Sequence, residues 1–73
     1  MTLQNIAQSN FNAAIDQQDS YESLTKAFEA YISNAEDAAE ENGFDAVECS
    51  CIFEKLAIDA GHGDAVAAMW TGK

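Results

Sequence analysis

Neither proline nor arginine occurs in this chain, and glycine appears only four times in 73 residues. Without proline the strongest helix breaker is gone, and the abundant alanine favours helix along the whole length. The missing arginine leaves three lysines against thirteen Asp and Glu, a formal net charge of −10. DNA, RNA and anionic membrane surfaces repel such a chain, so direct binding to them is not expected. Long apolar runs are missing too, and nothing approaches the length of a membrane span. Residues 1–18 have neither a positively charged start nor a continuous apolar stretch, so they do not read as a secretory signal. Cysteine is limited to Cys49 and Cys51. On a helix, residues two apart point to nearly opposite faces, so these two should not bridge each other. Reduced thiols in a cytoplasmic protein are the simplest reading.

What is present suffices for a core. Hydrophobic residues make up 48% of the chain, with four Phe, two Tyr and one Trp, which argues against disorder despite the charge. The length suits one acidic helical domain over 1–73. A domain of this size buries only roughly 60% of the surface its unfolded chain exposes, so its stability margin is thin. Homodimerisation is an ordinary way to complete so small a core.

Periodicity then places the elements. Tyr21, Leu24, Phe28, Tyr31, Ala35 and Ala38 recur at alternating spacings of three and four, the seam of a helix with one buried face. Thr25, Ile32 and Ala39 widen that seam, which suits a globular bundle better than a two-stranded coil. Asp19 or Ser20 is the expected N-cap of this helix, Glu22–Lys26 a favourable pair four apart, and Asn42-Gly43 its stop. Before it, Leu3, Ile6, Ala7, Phe11, Ala14 and Ile15 predict a helix over about 3–17 with Thr2 as cap, and the Gln-Gln-Asp-Ser run at 17–20 reads as a connection. After it, Asp45 and Glu48 match a capping box opening a third helix over about 46–60. Val47, Cys51, Ile52 and Leu56 are expected to face inward there, with Phe53 and Ala60 as further candidates. The same stretch also alternates as a strand would (Val47, Cys49, Cys51, Phe53), although a lone strand has no partner in this chain. Gly61-His62-Gly63 reads as a turn exposing His62, and Asp64 as the cap of a short helix over Ala65 to Trp70. Val66, Met69 and Trp70 would close one end of the bundle. The expected fold is all-α, a small bundle of three longer helices plus a short C-terminal helix.

The main anomaly lies in the helix built on that seam. Its last two turns hold Glu36, Asp37, Glu40 and Glu41, although the negative end of a helix dipole prefers cations. Glu36–Glu40 and Asp37–Glu41 are also like-charge pairs four apart, each costing roughly 0.2–0.5 kcal/mol. A merely solubilising face is the plain reading. The functional one is an acidic surface for a basic partner, contacted through Glu29, Glu36, Asp37, Glu40, Glu41, Asp45 and Glu48. Acids four apart on a helix rise about 6 Å, near the step between successive phosphates on one nucleic-acid strand.

Other chemistries fit less well. An EF-hand loop from Asp37 to Glu48 would put Ala39 third, where an oxygen-bearing side chain is required, and Gly43 seventh rather than sixth, so its register fails. Cys49, Cys51 and His62 do not match structural zinc spacings. No nucleophile–base set or phosphate-binding glycine loop can be assembled, so no cofactor, metal or enzymatic activity is expected. In size, charge and helicity, though in no motif, the chain resembles the small acidic proteins with which phages and plasmids block restriction or CRISPR nucleases. That resemblance implies an inhibitor that occupies a basic, nucleic-acid-binding surface of a partner protein. The alternative is a structural or oligomeric accessory subunit held by apolar helix faces, its acids only solubilising it.

Overall fold

The computed structural model describes residues 2–71. They form α1 (Leu3–Asp16), a single 3-10 turn (Gln18–Ser20), α2 (Leu24–Glu41), α3 (Ala46–Asp59) and α4 (Gly63–Thr71). The fold is all-α, three longer helices and a short C-terminal one, and residues 46–53 are helix rather than strand. Each long helix starts where a short oxygen-bearing side chain can take an orphan amide. Thr2 Oγ1 accepts from Asn5 N–H at 3.1 Å, Ser23 Oγ from Lys26 N–H at 3.2 Å, and Asp45 Oδ1 from Val47 N–H at 2.9 Å.

The start of α2 differs from the sequence expectation. Ser23, rather than Asp19 or Ser20, is the N-cap. Residues 17–20 instead close into the 3-10 turn, with Ser20 N–H donating to Gln17 O at 2.9 Å and the Gln18 side chain donating to Ile15 O at 3.0 Å. Tyr21 is therefore extended, with φ −116° and ψ 164°, and lies outside the helical seam. Its ring meets Tyr31 edge-on at 6.1 Å. With Glu22 off the helix, Lys26 pairs forward with Glu29 at 3.7 Å.

α2 and α3 stop in the same way. After α2, Phe44 N–H donates to Ala39 O at 2.8 Å and Gly43 N–H to Glu40 O at 3.1 Å. After α3, His62 N–H donates to Ala57 O at 2.9 Å and Gly61 N–H to Ile58 O at 3.0 Å. These are Schellman closures, which need the residue after the C-cap in the left-handed region. Gly43 and Gly61 sit there, at φ +80° and +90°. A Cβ added at Gly43 would meet nothing within 4 Å, so Gly43→Ala carries backbone strain alone. It should lower stability by about 1 kcal/mol, read as a lower urea midpoint with unchanged slope.

One phenylalanine from each long helix forms the centre of the core. Phe28 and Phe53 meet edge-on at 5.5 Å, and Phe11 lies 5.9 Å from each. His62 is half-buried against this cluster, 6.0 Å from Phe28 and 6.5 Å from Phe11, not an exposed turn residue. Ala7, Ala14, Ala27, Ala35, Ala39 and Ala57 have no exposed surface, and their small side chains let the helix backbones approach around the rings. α2 packs against α1, α3 and α4, so it is the element on which the others are arranged.

The inward face of α3 is the expected one only in part: Phe53, Ile52 and Leu56 pack against the core, but Val47, Cys51 and Ala60 do not. Cys49, Ser50, Phe53 and Ala57 are buried, Ile52 and Leu56 are half-buried, and Val47, Cys51 and Ala60 are exposed. Phe53 decides the rotation: only this phase brings its ring against Phe11 and Phe28, and Cys49 and Ala57, one turn either side, are small enough to lie against neighbouring backbone. Ser50 is accommodated by donating to Val47 O at 2.9 Å. In α4, Val66 and Met69 are buried as expected, whereas Trp70 keeps half its surface exposed.

Candidate functional site

The acidic residues divide by their angle around α2. At 100° per residue, Glu29, Glu36 and Glu40 fall within an arc of about 40°, whereas Asp37 and Glu41 lie roughly 60–140° further round. The former make a row along the flank of α2. The latter point away from the core. Asp45 caps α3 and Glu48 lies on its outer face, so Glu41, Asp45 and Glu48 gather around the α2–α3 corner. Six of the seven sequence-derived positions thus form a row and a corner rather than one flat patch, and Asp37 stands apart on the outer face of α2. Glu29 and Glu36 are half-buried, whereas Asp37, Glu40, Glu41, Asp45 and Glu48 are open to solvent.

Cations do little to offset this charge. Among the described residues the one ion pair is Lys26–Glu29, and none of the four helices has a basic residue in its last turn. Asn42 instead closes α2 with its side-chain amide, which donates to Ala38 O at 2.8 Å.

The flank row borders a cleft between α2 and α4. Its cavity holds about 220 Å³ and is lined by Glu29, Ile32, Ser33, Glu36, Met69 and Trp70. Ile32 and Met69 are buried and supply an apolar floor, while the two carboxylates stand at the edge. The Trp70 indole N–H donates to Glu54 Oε1 at 3.0 Å, which ties α4 to α3 and holds the ring in place. Ser33, Met69 and Trp70 carry no binding signal in the sequence. The spacing Glu29-Ser33-Glu36-Glu40 is visible there, but its juxtaposition with α4 is not.

The two cysteines have separate environments. Cys49 is buried and its thiol donates to Ala35 O at 3.5 Å, across from α3 to α2. Burial, and then the nearby Glu36 charge, push that thiol's pKa up, so it stays protonated and behaves as core. Cys51 is free and exposed. Among the described residues no three of His, Cys, Asp or Glu converge on a point where a metal could sit, and no described helix is long and apolar enough to cross a membrane.

No protein-family model, curated protein or solved structure matches this chain. Its own surface is therefore what bears on function.

Proposed function

We propose that this protein is a non-catalytic binding module whose acidic α2–α3 surface occupies a basic, nucleic-acid-binding surface on another protein, in the manner of phage or plasmid inhibitors of restriction or CRISPR nucleases. The observation that carries the proposal is the row Glu29, Glu36 and Glu40, continued by the acids at the α2–α3 corner, with Lys26 the one lysine in an ion pair among the described residues. Rows of carboxylates at helical spacing stand in for phosphates. The attraction speeds encounter and weakens with salt.

An alternative reading rests on a separate feature. Val47 and Ile58 are 67% and 54% exposed, and they share one side of α3 with the exposed Cys51. That strip is the face an accessory or self-associating subunit would use. Salt separates the two readings. Immobilised protein should capture Lys/Arg-rich partners at about 50 mM salt and release them by about 500 mM, where the screening length falls well below 10 Å. The Glu36→Lys, Asp37→Lys, Glu40→Lys, Glu41→Lys variant should capture none of them. Partners that are held at both salt levels and by that variant would replace this proposal with the apolar reading.

A further inference from the structure

We propose that the α2–α4 cleft is the acceptor for one arginine side chain of the basic partner, with Glu36 taking the guanidinium and Met69, Ile32 and Trp70 receiving the stem. This deepens the acidic-surface reading and rests on it. Size bears on it first. At about 220 Å³ the cleft lies below the roughly 300–1,000 Å³ of pockets that take whole small molecules or cofactors, and it suits a single side chain. The lining narrows the choice. An apolar floor under carboxylates asks for an occupant that is greasy along its length and cationic at its tip, which describes lysine and arginine.

Three further points select arginine and Glu36. A guanidinium is planar, stacks on aromatic rings and forks onto carboxylates, whereas an ammonium is a compact, strongly hydrated charge. Trp70 in the lining favours the planar cation. Glu29 is already engaged by Lys26 at 3.7 Å, while Glu36 is in no ion pair among the described residues. Glu40, one turn along the same row, extends the negative field along the direction from which a basic segment would continue. A bare divalent cation is a poorer occupant, since no three metal-ligating groups converge among the described residues.

The probe is the capped tripeptide acetyl-Gly-Arg-Gly-amide, compared with its lysine and citrulline counterparts, titrated into the isotopically labelled full chain. Saturating NMR shifts are expected at the Trp70 indole N–H, the Met69 methyl and the Ser33 amide, strongest with arginine and absent with the uncharged citrulline. Glu36→Gln should weaken the arginine peptide about fivefold through loss of a charge-assisted contact. Lys26→Ala should tighten it about twofold by freeing Glu29. The cleft proposal is overturned if Trp70 and Met69 do not respond, if citrulline matches arginine, or if Glu36→Gln changes nothing in a chain that circular dichroism shows to be folded. An octa-arginine peptide separates this from the wider reading. If it binds through the amides of Asp37, Glu40 and Glu41 while Trp70 and Met69 stay silent, the cleft is wrong and the acidic surface stands. If it binds undiminished after Glu36, Asp37, Glu40 and Glu41 are neutralised, both fall.

Discussion

Phe53→Ala is expected to destabilise the fold by about 3–5 kcal/mol, the usual loss for a buried ring replaced by a methyl group. At roughly 0.05–0.15 kcal/mol per residue, a chain of 73 residues has only about 4–11 kcal/mol of stability in total. The substitution should therefore leave a large unfolded fraction near 37 °C, seen as a steep fall in the urea midpoint followed by helical circular dichroism. Phe53 has no exposed surface and touches both Phe11 and Phe28, so its removal opens a void where the three long helices meet. Phe28→Ala should cost a similar amount. The double variant should lose less than the two single losses added, because the rings are in contact. Val47→Ala is the control: with Val47 67% exposed, its cost should stay within about 0.5 kcal/mol. A larger loss for Val47→Ala than for Phe53→Ala would mean that α3 presents the opposite face to the core.

That contrast also marks how far the amino-acid order can be read. Thr2, Asn42-Gly43, Asp45 and Gly61 announce helix ends through local chemistry, and the ends fall at or next to those residues. α2 begins late because Asp19, Ser20 and Ser23 are all competent caps, and only the closure of residues 17–20 into a turn selects Ser23. The face of α3 is only partly legible, for a different reason. Ile52, Leu56 and Phe53 do pack inward, but Val47 and Cys51 are as apolar as Cys49 and Ala57, and apolar character alone does not say which of these pairs accompanies them. The choice is tertiary, made by the ring contacts of Phe53 and by the close approach that Cys49 and Ala57 permit. The candidate site divides in the same way. Glu29, Glu36 and Glu40 share a row because helix geometry requires it, whereas the cleft beside them depends on Met69 and Trp70 from a helix distant in sequence, docked by a hydrogen bond to Glu54.

Neutralising the end of α2 should stabilise the protein. In the variant Glu36→Gln, Asp37→Asn, Glu40→Gln, Glu41→Gln, shape is nearly preserved while four like charges vanish near the negative end of the helix dipole. Two repulsive pairs four apart account for roughly 0.4–1 kcal/mol. Relief of the dipole conflict in the final turn adds about 0.3–1 kcal/mol for each acid there. The expected gain is about 1–3 kcal/mol at low salt, and each kcal/mol should raise the melting temperature by about 4–8 °C in a domain of this size. Added salt should narrow the difference, because it screens the wild-type repulsion and has less to screen in the variant. Among the described residues the one ion pair is Lys26–Glu29, and the helix-end hydrogen bonds nearby are made by Asn42 and Asp45, so little native structure is lost with the charge. On the proposed function, the same variant should lose its partner while it gains stability. The opposing signs distinguish a surface kept for binding from one that merely aids solubility. A variant that melts lower than the wild type at low salt would show that the carboxylates support the helix after all, and their placement would then no longer point to a partner.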